Sequence, residues 1–88
     1  MKEFSAKVTD PVGLHARPAT VAVKAASSYK SNVNLEYKGQ SVNMKSIMGV
    51  MSLGVPADAE IKITCDGVDE DAAIAEIETV LRDQKVVA

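Results

Sequence analysis

Apolar and polar residues alternate along four stretches of the chain, a pattern typical of strands with one buried and one solvent-facing side. Ser, Lys, Asn, Glu and Thr occupy the intervening positions, so we predict four strands that each contact a core through one face. The predicted buried positions are Phe4, Ala6 and Val8, then Val33, Leu35 and Tyr37, then Val42 and Met44, and finally Ile61, Ile63 and Cys65.

Three further segments carry apolar residues at intervals of three and four, which predicts helices. The first helix runs from Ala16 to about Ser27. The second is a short apolar helix from about Ile47 to Leu53, with Ser46 as its N-cap and Gly54 as the residue that ends it. The third runs from Glu70 to about Arg82 and begins with acidic residues, which favour the positive end of the helix dipole.

These elements follow one another in the order β-α-β-β-α-β-α. Tyr37-Lys38-Gly39-Gln40 fits a two-residue hairpin turn in which Gly39 takes a positive φ, so the second and third strands should pair antiparallel. Strands with one buried face need all their helices on that face, which predicts an α+β two-layer open-faced sandwich. The chain shows neither a linker nor a repeat, and residues 1–88 are expected to form a single domain.

Composition excludes several classes of protein. With one His and one Cys the chain cannot build a zinc site or a disulfide by itself, and neither a metal nor a cofactor is expected. Three aromatic residues and a pI of about 5.3 argue against nucleic-acid binding. The longest nearly apolar run, 47–55, is too short to cross a bilayer, and the N-terminus lacks the apolar stretch of a secretion signal. We therefore expect a cytoplasmic protein without membrane insertion.

The segment Gly13-Leu14-His15-Ala16-Arg17-Pro18-Ala19-Thr20 lies where the first strand ends and the first helix begins. The first amides of a helix lack intrahelical acceptors and carry the positive end of the dipole, so they bind anions. With His15 as the N-cap, its imidazole would stand beside the amides of Ala16 and Arg17, and the Arg17 guanidinium suits phosphate oxygens. Such a site could accept and return a phosphoryl group. From these residues alone, a solvent-exposed histidine without a catalytic role is the more common case.

This segment resembles the active-site signature of the HPr family, the histidine-containing phosphocarrier proteins of the sugar phosphotransferase system. The chain's length and order of elements agree with that family, so the resemblance covers essentially the whole chain. A second segment resembles the family's regulatory serine segment in its Gram-positive form; it reads Asn43-Met44-Lys45-Ser46-Ile47-Met48-Gly49-Val50-Met51-Ser52-Leu53-Gly54-Val55.

The resemblance implies a four-stranded antiparallel sheet in the order 1-4-2-3 with three helices on one face. It implies that His15 receives a phosphoryl group on Nδ1 from phospho-enzyme I and passes it to a sugar-specific enzyme IIA, while Arg17 stabilises the group. The backbone amides of Ala16 and Arg17 are the expected phosphate-binding donors. A protein of this kind is a stoichiometric phosphoryl carrier and not an enzyme.

Ser46 is most simply explained as the N-cap of the second helix. The resemblance adds a regulatory role, since a kinase/phosphorylase acts on the matching serine. The phosphorylated form then binds the catabolite control protein A and takes part in carbon catabolite repression. Because a helix N-terminus tolerates negative charge, we expect phosphorylation of Ser46 to leave the fold intact.

The short second helix cannot bury all of its apolar residues on one face, so some should remain exposed, and flexible methionines suit a surface that meets several partners. By resemblance, these partners are enzyme I, enzyme IIA proteins and the kinase/phosphorylase. The two lysine candidates either extend a positive field from Arg17 or are simply solvated, and Thr20 has the spacing of an ordinary helix residue. The candidates for contact with partners are Thr20, Lys24, Lys45, Ile47, Met48 and Met51.

Three other functions are compatible with parts of the sequence. A small α/β sandwich with an anion-binding loop and an arginine could hydrolyse acyl phosphates, with multiple turnovers. A regulatory module with the serine segment but without the histidine is disfavoured by His15, and a paralogue serving nitrogen regulation is disfavoured by the Ser46 segment. Nothing in the chain requires more than a monomer.

Overall fold

The computed structural model describes all 88 residues and contains four strands and three helices in the predicted order. The predicted order β-α-β-β-α-β-α is thus confirmed. In chain order the elements are β1 (Lys2–Lys7), α1 (Ala16–Ser27), β2 (Asn32–Tyr37), β3 (Gln40–Asn43), α2 (Ile47–Ser52), β4 (Glu60–Asp66) and α3 (Glu70–Asp83).

The strands form one antiparallel sheet in the order β1-β4-β2-β3, as expected, with the helices packed on one face. The register aligns Phe4 with Ile63, Ile63 with Leu35, and Leu35 with Val42. The alternating apolar positions of all four strands therefore meet in one row across the sheet, which is why a period of two in the sequence becomes one continuous apolar layer.

The hairpin between β2 and β3 has the predicted two-residue turn. Tyr37 pairs with Gln40, and the two residues between them both take positive φ, +51° at Lys38 and +78° at Gly39. Two successive positive φ values define the type I′ turn, whose twist matches that of the flanking strands. From the sequence, the left-handed conformation was expected at Gly39 only.

Two apolar residues predicted to lie in strands fall just beyond the strand ends. Met44 follows β3, but its N–H donates to the Val33 carbonyl over 2.8 Å and its side chain is fully buried. Val8 follows β1 and forms an isolated antiparallel bridge with Val87, which joins the end of β1 to the C-terminal residues. The predicted burial of both residues is confirmed.

The helix ends agree closely with the local signals in the sequence. The observed bounds of α1 are the predicted ones. Helix α2 begins after Ser46, has Leu53 as its C-cap, and is followed by Gly54 with φ +61°. Helix α3 ends at Asp83, one residue beyond the prediction.

Asp69 immediately precedes α3, yet its side chain does not cap that helix. It accepts hydrogen bonds instead from the backbone amides of Lys30 and Ser31 and from the Ser31 hydroxyl. Asp69 therefore connects the start of α3 to the turn between α1 and β2, although, like the acidic residues that follow it, it would be expected from its position to favour the dipole of its own helix. The carboxylate of Glu70, the first residue of α3, makes the local contact at the start of this helix: it accepts a hydrogen bond from the Gly67 amide over 3.1 Å.

The apolar core lies between the sheet and the helices, and no helix is both long and apolar enough to span a membrane. Cys65 is fully buried in this core, as predicted. The buried apolar residues are Val8, Leu14, Ala19, Ala22, Ala26, Val33, Leu35, Met44, Val50, Val55, Ile61, Ile63, Cys65, Ala73, Ile77, Leu81, Val86 and Val87.

Two hydrogen bonds determine how α2 lies relative to α1. The Lys45 ammonium donates over 2.7 Å to the carbonyl of Tyr29, just beyond the C-terminal end of α1. The Leu14 N–H donates over 2.9 Å to the carbonyl of Val55, which joins the segment after α2 to the segment before α1. The twelve residues of α1 span about 18 Å. Helix α2 therefore runs antiparallel to α1, from the C-terminal end of α1 towards its N-terminal end.

Candidate functional site

The loop between β1 and α1 is held against the segment that follows α2. Gly13 has φ +87°, and a Cβ atom there would lie 2.3 Å from the Val55 carbonyl oxygen and 2.9 Å from Pro56 Cα. Only glycine combines this backbone conformation with so close an approach. The neighbouring Leu14 is buried and makes the hydrogen bond to Val55 described above. His15 therefore follows a tightly packed pair of residues, and its backbone position is well defined.

His15 occupies the N-cap of α1, as predicted, with an extended backbone (φ −84°, ψ −167°) and its carbonyl accepting from the Ala19 N–H over 2.9 Å. The amides of Ala16 and Arg17 donate to no acceptor in the protein, as is usual for the first turn of a helix. The imidazole makes no capping hydrogen bond to these amides. Its side chain is 38% exposed, and Nε2 lies 3.2 Å from Oδ1 of Asp10.

Asp10 is the residue of this site that the sequence analysis missed. Its side chain is only 6% exposed, and its two carboxylate oxygens have separate partners. Oδ1 accepts from the Val12 N–H over 3.0 Å and faces His15 Nε2, while Oδ2 accepts from Arg17 Nη2 over 3.0 Å. The one local signal was an Asp two residues after the predicted first strand and followed by Pro11, which is typical of a turn in which the Asp side chain binds the amide two residues on.

The surroundings of Asp10 favour its charged form. The hydrogen bond from the Val12 amide, together with His15 and the Arg17 guanidinium, holds the pKa of the Asp10 carboxyl below its usual value. The site at neutral pH is thus a carboxylate flanked by an imidazole and a guanidinium. Arg17, which was expected to serve a phosphoryl group, is paired with Asp10 in this structure and remains more than half exposed.

Ser46 is the N-cap of α2, as its position in the sequence predicted. Its backbone is extended (φ −107°, ψ 116°), and its Oγ accepts from the Gly49 N–H over 3.1 Å. The side chain is exposed to solvent. Because Lys45, the neighbour of Ser46, contacts the C-terminal end of α1, Ser46 lies towards the end of that helix opposite His15.

Three exposed apolar residues of α2 form what we call the α2 patch: Ile47, Met48 and Met51. Met48 is 79% exposed, whereas Val50 of the same helix is fully buried. The expectation that α2 leaves part of its apolar surface in solvent is thus confirmed. Val12, in the loop before His15, is a further exposed apolar residue that the sequence analysis did not single out.

The polar candidates divide into two groups. Thr20 and Lys24 are exposed and follow Arg17 at intervals of three and seven, so the three residues share one face of α1. The Thr20 hydroxyl donates to the Ala16 carbonyl over 2.7 Å. Lys45 is only half-exposed, and its ammonium is bound at the far end of α1. The possibility that Lys45 extends a positive field beside Arg17 is therefore not supported, because the contact with Tyr29 holds the charge elsewhere.

The family model and the solved structures that match this chain point to the same family. The family model described as the PTS HPr component phosphorylation site matches residues 2–83. A histidine-containing phosphocarrier protein from Mycoplasma is 43% identical with a TM-score of 0.94, and the match covers 98% of each chain. HPr from Thermoanaerobacter tengcongensis is 41% identical with a TM-score of 0.90, over 98% of this chain and 96% of the other.

A third solved structure differs in its assembly. Crh, the Bacillus subtilis catabolite repression HPr-like protein, is 37% identical with a TM-score of 0.74, over 96% of this chain and 97% of the other. That protein was crystallised as a dimer with a swapped domain.

Proposed function

Since this chain belongs to the PTS HPr family and shares its phosphocarrier role, we propose that His15 is the residue that carries the phosphoryl group. The observation that carries the proposal is the position of His15, a partly exposed imidazole at the N-cap of α1 beside two free amides and the Arg17 guanidinium. These groups offer a nucleophile together with donors for phosphoryl oxygens, which is what phosphoryl transfer requires.

The transfer needs little covalent chemistry from the protein. The lone pair of His15 Nδ1 bonds to phosphorus, and the bond between phosphorus and the donor nitrogen of phospho-enzyme I breaks, with its electron pair returning to that nitrogen. The amides of Ala16 and Arg17 and the Arg17 side chain receive the phosphoryl oxygens. The reverse sequence delivers the group to an enzyme IIA protein.

The shape of the site supports a carrier rather than a hydrolase. His15 stands on open surface, and the two cavities of the protein lie elsewhere. One, of about 190 Å³, is on the solvent face of the sheet, and the other, of about 380 Å³, is a groove between α1 and α3. An enzyme acting on a small phosphate ester would need an enclosing pocket at its nucleophile, whereas a carrier must present the nucleophile to the surface of another protein.

The proposal is tested by the intact mass of the protein after incubation with enzyme I and phosphoenolpyruvate. We expect the mass to rise by one phosphoryl group, to return to its starting value on mild acid treatment, and to stay constant in His15→Ala. Circular dichroism of the variant serves as the folding control, since His15 makes no capping hydrogen bond. No gain in mass with a demonstrably active enzyme I would contradict the proposal and favour a purely regulatory module.

We further propose that Ser46 is the regulatory phosphorylation site for a kinase/phosphorylase. Its Oγ is exposed, and it sits at a helix N-terminus where a phosphate adds about −1.5 to −2 charges without opposing the dipole. The charge would adjoin Ile47 and Met48 of the α2 patch, so it would weaken apolar docking and repel an acidic partner. Binding of the phosphorylated form to the catabolite control protein A, and hence a role in catabolite repression, belongs to the same proposal.

Ser46→Asp tests this second proposal without the kinase. We expect slower phosphoryl uptake from enzyme I at low salt, with a melting temperature close to that of the wild type, because aspartate is also a good N-cap. Ser5→Asp is the matched control, since Ser5 is also exposed but lies on β1, where it pairs with Lys62 and is remote from α2. Equal uptake by Ser46→Asp and wild type at low salt would refute the proposed mechanism.

The α2 patch, together with Thr20 and Lys24 on α1, is the proposed docking surface for enzyme I and the enzyme IIA proteins. Its Met51 end lies towards the first turn of α1, because α2 runs towards His15. A monomer in the cytoplasm stays the expected state of this chain. Sedimentation velocity would test the monomer against the dimer seen in the Bacillus subtilis relative.

A further inference from the structure

Asp10 is one of two polar residues that are buried in this protein, and its Oδ1 lies 3.2 Å from Nε2 of the His15 imidazole. Its carboxylate contacts the Val12 amide, the His15 ring and the Arg17 guanidinium at the same time. None of these contacts contributes to the core, and the carboxylate reaches no other charged group. Its place in the molecule is therefore defined by the two side chains of the phosphoryl site.

The contact with Asp10 determines which nitrogen of the neutral imidazole carries the hydrogen. An ionised carboxylate can only accept hydrogen bonds, so the nitrogen that faces it, Nε2, must be the donor. A neutral imidazole with its hydrogen on Nε2 has its lone pair on Nδ1. The nitrogen proposed to attack phosphorus is thus the one left free to do so.

The contact between Asp10 and His15 also has an effect on charge during phosphoryl transfer. When Nδ1 bonds to phosphorus while Nε2 keeps its hydrogen, the imidazole ring becomes formally positive. A carboxylate that accepts from Nε2–H stabilises that charge, just as an aspartate stabilises the imidazolium that forms in a serine protease. The carboxylate and the hydrogen bond are already in place before the reaction, so no reorganisation is needed when the charge appears.

We propose that Asp10 is a positioning residue for phosphoryl transfer, which holds His15 as its Nε2–H tautomer and stabilises the ring as Nδ1 bonds to phosphorus. The proposal rests on the proposed role of His15. Through its second oxygen, Asp10 also holds the Arg17 guanidinium beside the ring, where an incoming phosphoryl oxygen can compete for it. The charge on Arg17 offsets the repulsion between Asp10 and the phosphoryl group.

Two substitutions of Asp10 separate its effect on the tautomer of His15 from the effect of its negative charge. Asp10→Ala removes both the acceptor and the negative charge. Asp10→Asn removes the charge but keeps a carbonyl oxygen that can accept from Val12 N–H and from Nε2–H. Asp71→Asn is the matched control, because it is the same change at an exposed aspartate of α3 whose one partner is Lys2.

Tautomers are measured from the nitrogen-15 shifts of the His15 ring at alkaline pH, without enzyme I. We expect a protonated-type Nε2 and an unprotonated-type Nδ1 in wild type, Asp10→Asn and Asp71→Asn. In Asp10→Ala the two shifts should move towards each other as both tautomers become populated. Shifts in Asp10→Ala that equal those of wild type would overturn the assignment of the tautomer to Asp10.

The kinetic arm uses the chain as the substrate of enzyme I with phosphoenolpyruvate. We expect kcat to fall about tenfold in Asp10→Ala, by analogy with the lower end of what loss of an orienting partner costs at metal-bound imidazoles. In Asp10→Asn it should fall about threefold, because a neutral acceptor binds less strongly than an anionic one. The KM should not change, since the buried Asp10 is not part of the docking surface. Unchanged kcat, or a change in KM alone, would overturn the proposal.

The design distinguishes this proposal from the one it rests on. If wild type takes up no phosphoryl group, the proposed role of His15 fails, and with it the kinetic role of Asp10, while the nitrogen-15 shifts still report the contact. If Asp10→Ala does not fold, Asp10→Asn decides the question, because it retains the volume of the side chain and the acceptor for Val12. Equal kcat for Asp10→Asn and wild type would then overturn the proposal.

Discussion

Replacement of Gly13 by alanine is the most informative perturbation of the scaffold that presents His15. Two separate features of this position oppose a side chain. The backbone has φ +87°, and the space that a Cβ atom would fill is occupied by the backbone of Val55 and Pro56. Since these neighbouring atoms belong to the main chain, they cannot rotate away, and the whole segment after α2 would have to shift.

The expected loss of stability is the sum of two contributions. A left-handed conformation costs an L-residue about 1–2 kcal/mol. Forcing extra volume into a packed site costs about 1–3 kcal/mol more. Gly13→Ala should therefore lower the free energy of unfolding by about 2–5 kcal/mol, a large part of the stability of a domain of this size.

Gly39 and Gly54 provide matched controls. They have φ +78° and +61°, and a Cβ atom at either would meet nothing within 4 Å, so only the first contribution applies. Urea unfolding followed by circular dichroism should show a loss of about 1–2 kcal/mol for each control. The excess loss in Gly13→Ala then measures the contact with Val55 and Pro56.

The same comparison extends to function. Because Gly13 lies two residues before His15, the shifted loop should also slow phosphoryl uptake from enzyme I, whereas Gly39→Ala should not. Equal destabilisation of Gly13→Ala and Gly39→Ala, within about 0.5 kcal/mol, would show that the loop before α1 does not pack on the segment after α2. The structural account of how His15 is positioned would then be wrong.

Three further outcomes are expected. The Ser31 hydroxyl, with the Lys30 amide, lowers the pKa of Asp69 in the folded protein, so Asp69 stabilises the fold above its unfolded pKa, and this stabilisation is lost as the pH falls. Urea midpoints of wild type and Asp69→Asn should therefore differ most at pH 6, and the difference should shrink as the pH falls from about 4 through the lower folded pKa of Asp69. Burial raises the pKa of the Cys65 thiol, so Ellman's reagent should react only after unfolding. Met48→Asp should raise KM for enzyme I about tenfold, whereas Val68→Asp, at a residue 94% exposed, should not.

Each of these three predictions would be contradicted by one specific result. A constant difference in midpoint between pH 6 and pH 3 would show that the folded and unfolded pKa values of Asp69 are equal. Rapid modification of the native thiol would place Cys65 outside the core. The same KM for Met48→Asp and Val68→Asp would remove the α2 patch from the docking surface.

Local features of the fold were predictable from the sequence because the interactions that create them span only a few residues. The limits of α1, the Ser46 cap with its bond to Gly49, and the turn at Gly39 follow from periodicity, capping and backbone preference. The one-sided strands likewise required helices on a single face of the sheet.

Contacts between distant parts of the chain were not predictable in this way. Asp69 stood among acidic residues at a helix start, where its own helix offers free amides, yet it binds Lys30 and Ser31 in a turn 39 and 38 residues earlier. Lys45 was expected either to extend the positive field of Arg17 or to be solvated, yet it binds the Tyr29 carbonyl. Each of these contacts depends on which distant segments the fold brings together. No pattern among the neighbouring residues in the sequence contains that information.

The same distinction between local features and distant contacts applies to the residues of the phosphoryl site. From local residue preferences alone, His15 was expected to begin a helix, with Arg17 two residues further and Pro18 tolerated in the first turn. The contact of Asp10 with the imidazole, and the packing of the segment after α2 on the loop before α1, are known only from the folded arrangement of the chain. The reason is that helix starts depend on local hydrogen bonds, whereas the orientation of a side chain depends on which groups the folded chain brings within reach of it.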